Sequence, residues 1–96
     1  MSEPATNAHS IQGLVGDEVV IDMGTPFVAI GTLIDVRDDY LVLEAADLHD
    51  LRDTATTREK YVLDSHNHGV RPNRRQVWIS RDQTVAVSRL ADVVRD

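Results

Sequence analysis

Gly31 lies inside an apolar run from Phe27 to Val36, and this one residue constrains the chain more than any other. A run of apolar and β-branched residues this long is strand material. A glycine in its interior marks a sharp bend or a bulge rather than a break. The strand signal repeats on both sides. Val19, Ile21 and Met23 alternate with Val20, Asp22 and Gly24, a two-residue period. Gly24-Thr25-Pro26 is a turn signal. Arg37-Asp38-Asp39 is a polar turn, and Tyr40-Leu41-Val42-Leu43 is a third strand. The stretch from Leu14 to Ala45 therefore predicts a bent three-stranded antiparallel meander, the first half of a small β-barrel.

The second half follows near the C terminus. Val77 and Ile79 alternate with Trp78 and Ser80, Arg81-Asp82-Gln83 turns the chain, and Thr84 to Ser88 alternates again. This reads as a second hairpin. Trp78, between inward-facing Val77 and Ile79, is expected to point outward, toward the insertion or a neighbouring subunit. Leu90, Val93 and Val94 close the chain with an apolar patch suited to packing on a neighbour. Residues Ser10 to Val15 read as a helical turn or two on the barrel mouth, and residues 1–9 as a loose polar tail. The chain is thus expected to be mostly β. Residues 1–96 form one domain, a strongly bent five-stranded barrel with a short N-terminal helix and a helical or irregular insertion at 46–76.

Within that insertion, Asp47, Asp50 and Asp53 are spaced by three, with Leu48 and Leu51 between them. This pattern fits a short helix or an acidic loop, and the solvated loop is favoured. Thr56 is followed three residues later by Glu59, the capping-box spacing. A helix over 57–68 ending at Gly69 is expected, with a strand over Lys60 to Asp64 as the competing reading. Val70 to Gln76 is a basic, turn-rich linker carrying Arg71, Arg74 and Arg75.

Composition bounds what such a domain can do. A chain of 96 residues buries only a little over about 60% of its unfolded surface, so its stability is marginal without help. It contains no cysteine, so disulfides and thiolate metal sites are excluded. Association with copies of itself is the remaining common device. With no secretory segment and no long apolar stretch, the chain is expected to be cytoplasmic and away from membranes. The net charge of −6 is unevenly spread: residues 1–55 carry two arginines against eleven acids, and residues 56–96 carry eight basic residues against five acids. A segregated surface does not exclude nucleic acid, because charges separated by more than about 8–10 Å are screened at physiological salt.

No nucleophile–base pairing and no glycine-rich phosphate loop is present, and Ser10 and Ser65 lie near histidines without an orienting acid. His66 and His68 are two apart, with no carboxylate or third histidine at ligand spacing. Enzyme is the least favoured class, and no metal or cofactor is expected.

The residues resemble the Sm/LSm family of small RNA-associated ring proteins. The first motif of that family corresponds here to Leu14 and Gly16, Val19 and Ile21, Gly24, Gly31 and Leu33, Asp38, Tyr40, and Leu41 to Leu43. The second corresponds to Val77–Ser80, Arg81-Asp82, Gln83-Thr84 and Val85–Ser88. Together they cover about 45 of the 96 residues. Three positions depart from the pattern. Gly31 to Asp38 is one residue longer than usual, Val42 stands where the family has a base-contacting asparagine, and Asp82 replaces the glycine after Arg81.

The resemblance implies a strongly bent SH3-like, Sm-like barrel that assembles into a homo-oligomeric ring of about five to seven subunits and binds single-stranded RNA. It assigns Tyr40 to base stacking, Arg81 to a contact over or beside the base, and Asp38 to holding the loops. The plainer reading of Arg81 is a turn residue paired with Asp82 or Asp38. Arg74 and Arg75 are candidate phosphate contacts, and the plainer reading is that they balance the acids at 47, 50 and 53. A valine cannot hydrogen-bond a base edge, so base specificity is expected to be weak or altered. The alternative is an oligomeric scaffold or protein-interaction module that binds no RNA.

Overall fold

The computed structural model describes residues 10–53 and 55–94, so the expected tail at 1–9 lies outside the described residues. The meander forms as β1 (Glu18–Met23), β2 (Phe27–Val36) and β3 (Tyr40–Asp50). Its bend is at Gly31. Ile30 pairs with Asp47 and Thr32 with Glu44, so Gly31 alone faces both Ala45 and Ala46. This is a β-bulge, and Ala45 takes it up with a left-handed φ of 50°. A Cβ on Gly31 would lie 2.9 Å from both Cα and Cβ of Ala46. A second bulge follows at Ile34, between the Leu33–Leu43 and Asp35–Val42 pairs. It absorbs the extra residue between Gly31 and Asp38.

After β3 come a 3-10 turn at Leu51–Asp53, α1 (Arg58–His68), β4 (Arg74–Ser80), a 3-10 turn at Arg81–Gln83, β5 (Thr84–Arg89) and a last turn at Leu90–Asp92. The expected helical insertion at 46–76 is therefore narrower, spanning 51–73. The bulge at Ala45 re-phases β3 and lets it run on to Asp50, where an acidic loop was expected. At the other end, Asn73 extends the ladder with its side chain. Its Oδ1 accepts from Leu48 N–H (3.0 Å), and its Nδ2 donates to the Leu48 carbonyl (3.0 Å).

The expected second hairpin does not form. The sheet order is β4-β3-β2-β1-β5, so the last two strands lie at opposite edges of one antiparallel sheet. The turn between them is pinned to different neighbours. Arg81 N–H donates to the Asp39 carbonyl (2.9 Å), and Gly24 N–H donates to the Gln83 carbonyl (2.9 Å). In a flat five-stranded sheet the edges would stand about 19 Å apart, whereas a three-residue turn spans at most about 13 Å. Only a strongly curled sheet brings its edges close enough. The curl is not a closed barrel, because β4 pairs only with β3 and β5 only with β1 among the described residues.

The concave side holds the main core: Val19, Ile21, Ala29, Leu33, Leu41, Leu43, Ala46 and Ile79. Ile11 and Leu14, from the 3-10 turn at Ile11–Leu14, pack against it as the expected N-terminal plug. The convex side of β1 and β2 is also apolar. Val20, Val28 and Ile30 pack there with Val62 of α1 and with Leu90. Leu90 thus packs inside this chain, while Val94 is exposed. Arg58 ties the start of α1 to the β1–β2 turn, reaching Asp22 Oδ1 (3.3 Å) and the Thr25 carbonyl (3.3 Å). No helix among the described residues is long and apolar enough to cross a membrane.

The cap of α1 is Thr57 rather than Thr56: Thr57 Oγ1 accepts from Lys60 N–H at 3.1 Å. The capping box therefore fails by one residue, since the reciprocal position is Lys60 and not Glu59. Thr56 Oγ1 is buried and has no hydrogen-bond partner among the described residues. Thr57→Ala should cost about 0.5–2 kcal/mol in thermal or urea unfolding. Thr56→Val removes an unsatisfied hydroxyl at nearly constant shape and should leave stability unchanged or raised. At the bend, Gly31→Ala should destabilise by about 1–3 kcal/mol through backbone overlap. Ala45→Gly relieves a left-handed alanine and should not lower the melting temperature.

Candidate nucleic-acid interface

The two motifs singled out in the sequence meet at one corner of the sheet. Arg81 donates its backbone N–H to the Asp39 carbonyl, and its Nη1 donates to the Arg37 carbonyl at 2.8 Å. Its guanidinium therefore clamps the β2–β3 turn and pairs with neither Asp82 nor Asp38. Asp38 is exposed on that turn, and the hydrogen bonds that hold the turn to Arg81 run through the carbonyls of Arg37 and Asp39.

Tyr40 begins β3 on the convex face and is 41% exposed. Its ring meets Trp78 of β4 edge-on, with centroids 5.7 Å apart and planes at 61°. Trp78 is 49% exposed, outward-facing as expected, and packs on Tyr40 rather than on α1. Arg37 lies over the indole, 5.4 Å from its centroid. The same arginine pairs with Asp35 at 3.2 Å. Trp78 Nε1 donates to Gln76 Oε1 at 3.1 Å, fixing the indole from its other side. Together these residues form a half-exposed aromatic surface with cationic flanks, of the kind that stacks planar rings.

Val42 lies in the middle of this surface and is only 3% exposed. It pairs with Asp35 on one side and Trp78 on the other, so the position of the expected base reader is buried between two ladder partners. The surrounding charge is mixed. Asp35 at the end of β2 and Asp38, Asp39 and Asp82 in the two turns stand close in sequence to Arg37 and Arg81. Such a surface offers phosphate little net attraction, so a nucleic acid here would be held chiefly through its bases.

Arg74 and Arg75 are not at this corner. They open β4, six residues along the strand from Ser80, which pairs with Tyr40. That is a separation of about 20 Å. There they border an open groove with Glu44, Ala45, Pro72 and Asn73. The acids at 47, 50 and 53 do not neutralise them. Asp47 accepts from the Tyr61 hydroxyl and from Asn73 Nδ2, and Asp50 pairs with Arg52 at 2.8 Å. The Arg52 side chain beside it holds the Asp50 carboxyl below its ordinary range.

Sequence reasoning missed Arg37 and Gln76 as parts of the surface and gave Trp78 no role. Gln76 was legible in part, since it lies two residues from the outward-facing Trp78, whereas Arg37 belonged to a turn and carried no such signal. What the alternation could not give was the pairing of β3 with β4 that brings them together. Away from this corner, Tyr61 stacks on His49 at 4.4 Å and bonds Asp47, locking α1 onto β3. Burial first, and then the Asp47 carboxylate, push the Tyr61 hydroxyl's pKa up. His66 bonds Asn67, and no cluster able to hold a metal ion occurs among the described residues.

The fold is similar to that of known proteins. It matches a Pyrococcus abyssii Sm protein solved in complex with a uridine heptamer, at 18% identity and a TM-score of 0.58, over 91% of this chain and 99% of that one. It also matches a chain of the NatC complex bound to CoA, at 11% identity and a TM-score of 0.52, over 81% of this chain and 80% of that one. A chain of the NatC complex bound to Gag peptide and CoA matches at the same identity and TM-score, over 81% of this chain and 87% of that one. No protein family and no curated protein matches the chain by sequence. The architecture is Sm-like: five antiparallel strands in a bent, unclosed sheet with one short helix.

Two measurements test this description. Val42→Asn should destabilise the fold by about 1–3 kcal/mol, because it buries an amide under Trp78. It should not create a uridine reader. Tyr61 carries a raised pKa in the folded state, so its contribution is complete below the unfolded value of about 10 and is lost as pH rises further. The melting temperature of the native chain should therefore fall more steeply above that pH than that of Tyr61→Phe.

Proposed function

We propose that this Sm-like chain assembles through its sheet edges and binds single-stranded RNA weakly, by stacking unpaired bases on its convex face. The observation that carries this reading is the half-exposed Tyr40–Trp78 pair flanked by Arg37 and Arg81. Stacking is indifferent to base identity, and burial of Val42 removes the edge reader. The expected preference for uridine over other bases is therefore small. The Sm protein of similar fold was solved with a uridine heptamer, which favours RNA as the ligand class.

Assembly is supported by the two open edges. β4 and β5 each pair on one side only, and Val85 on β5 is 72% exposed. Unpaired apolar edges recruit other strands. Joining β4 of one subunit to β5 of the next would cover both, and repetition of that contact would close a ring, whose size of about five to seven subunits is taken from the Sm/LSm resemblance. A second reading, an oligomeric or protein-bound scaffold without RNA, is favoured by the filled position of Val42 and by the similarity to chains of NatC complexes.

Light scattering at micromolar concentration should give a closed oligomer, and a monomer would overturn the assembly proposal. Fluorescence anisotropy with short U-rich and A-rich oligonucleotides at two salt concentrations tests the ligand. Tyr40→Ala and Trp78→Ala should each remove about 1–3 kcal/mol per base engaged. If Arg74 and Arg75 reach phosphate, replacing either by alanine lowers the salt slope by about 0.7 for each phosphate no longer neutralised. No binding to either oligonucleotide at low salt, with the oligomer intact, selects the scaffold reading.

A further inference from the structure

The convex face of β4 continues past Trp78 into a pair of polar side chains that stacking leaves unused. Gln76 lies two residues from Trp78 on the same face, and its Oε1 accepts the indole N–H at 3.1 Å. An indole nitrogen only donates, so the amide oxygen must face it and the amide NH2 must face away. Glu44 stands directly opposite Gln76 across the β3–β4 ladder and is exposed. Directly opposed residues share a face, with Cβ atoms about 4.5–5.5 Å apart. Glu44 also borders the groove that Arg74 and Arg75 line. An aromatic surface, an oriented amide donor and a carboxylate acceptor thus follow one another along a single face, and the groove beyond Glu44 is bordered by Arg74 and Arg75.

We infer that this face is a guanine-selective subsite for single-stranded RNA, an inference that rests on the RNA-binding reading above. The Watson–Crick edge of guanine presents the O6 acceptor beside the N1–H and N2–H donors. With the ring stacked on Trp78, Gln76 Nε2 donates to O6. The Glu44 carboxylate accepts from N1–H and N2–H. Uracil matches the first two positions but turns its O2 acceptor toward the second carboxylate oxygen. Adenine and cytosine set an amino group against the amide donor. Unstacked bases in single strands expose this edge. Arg74 and Arg75 border the open groove beside Glu44, where they can meet the phosphates of the strand that carries such a base.

The test uses the full chain and heptanucleotides that differ only at the central base, read by fluorescence anisotropy at low salt. A central guanine should bind about tenfold more tightly than adenine, and inosine, which lacks the N2 amino group, should fall between them. Gln76→Glu keeps an acceptor for the indole but removes the amide donor, and it should abolish the preference. Glu44→Gln should weaken guanine binding and bring inosine level with guanine. Both positions are exposed, and unchanged thermal melts confirm that the variants fold. Equal binding of all central bases overturns the guanine assignment and leaves base stacking in place. A guanine preference that survives both substitutions overturns it as well. No binding of any oligonucleotide removes the RNA reading and this inference together. Competition by guanosine monophosphate at concentrations equal to those of the oligonucleotide overturns the assignment to a strand.

Discussion

The contact between the backbone of Gly31 and Ala46 is the constraint on which the rest of the molecule depends. Two strands of one sheet approach there more closely than any side chain at residue 31 permits. Ala45 accommodates the approach by adopting a left-handed backbone. The resulting curl encloses the core from Val19 to Ile79 and brings the two edges of the sheet within reach of the turn at Arg81–Gln83. Without it, β4 and β5 could not be consecutive in the chain and also lie at opposite edges. The corner formed by Tyr40, Trp78 and Arg81 would then not exist.

Curling leaves the outer surface of β1 and β2 to be covered, and the sequence supplies the means. Val19 and Val20 are both buried, one on each side of the sheet. A strand with one wet face would carry a polar residue at position 20. Helix α1 covers this second apolar surface through Val62, and the chain end covers it through Leu90. Arg58 and the Tyr61–Asp47 bond fix α1 at two points on the sheet. The helix stops short of Tyr40 and Trp78, and the aromatic surface stays open because α1 covers only part of the convex face.

Much of this was legible from residue types. Gly31 announced the bend, the two-residue period marked the first, fourth and fifth strands, continuous apolar runs marked the other two, and the pattern of glycines and apolar residues pointed to the Sm-like architecture. The errors share a physical origin. Local patterns carry no information on which strands pair, so two strands separated by a short turn read as a hairpin although their partners are elsewhere. The same limit hid the corner: Arg37 is an ordinary turn residue, Gln76 the end of a linker and Trp78 one outward residue of a strand until β3 is laid against β4. The bulge at Ala45 left no trace because alanine is not the residue that a left-handed position favours. The cap moved from Thr56 to Thr57 because two adjacent threonines offer the same chemistry, and only packing decides between them.

The order of strands has a consequence for how the sheet is made and unmade. β1, β2 and β3 pair with near neighbours along the chain, closing loops of a few residues. β5 must find β1 from about seventy residues away, with Val19 meeting Arg89. Contacts that close long loops form late, since their entropic cost must be met before any hydrogen bond rewards it. β5 is held by one ladder, at the edge, between two 3-10 turns. It is therefore the last strand to join the folding sheet and the first to peel away from it. A chain caught with β5 detached presents the open side of β1, which the β5 of another chain fits as well as its own. At high concentration the protein then has a route to strand exchange that leaves every native pairing intact but shares it between molecules.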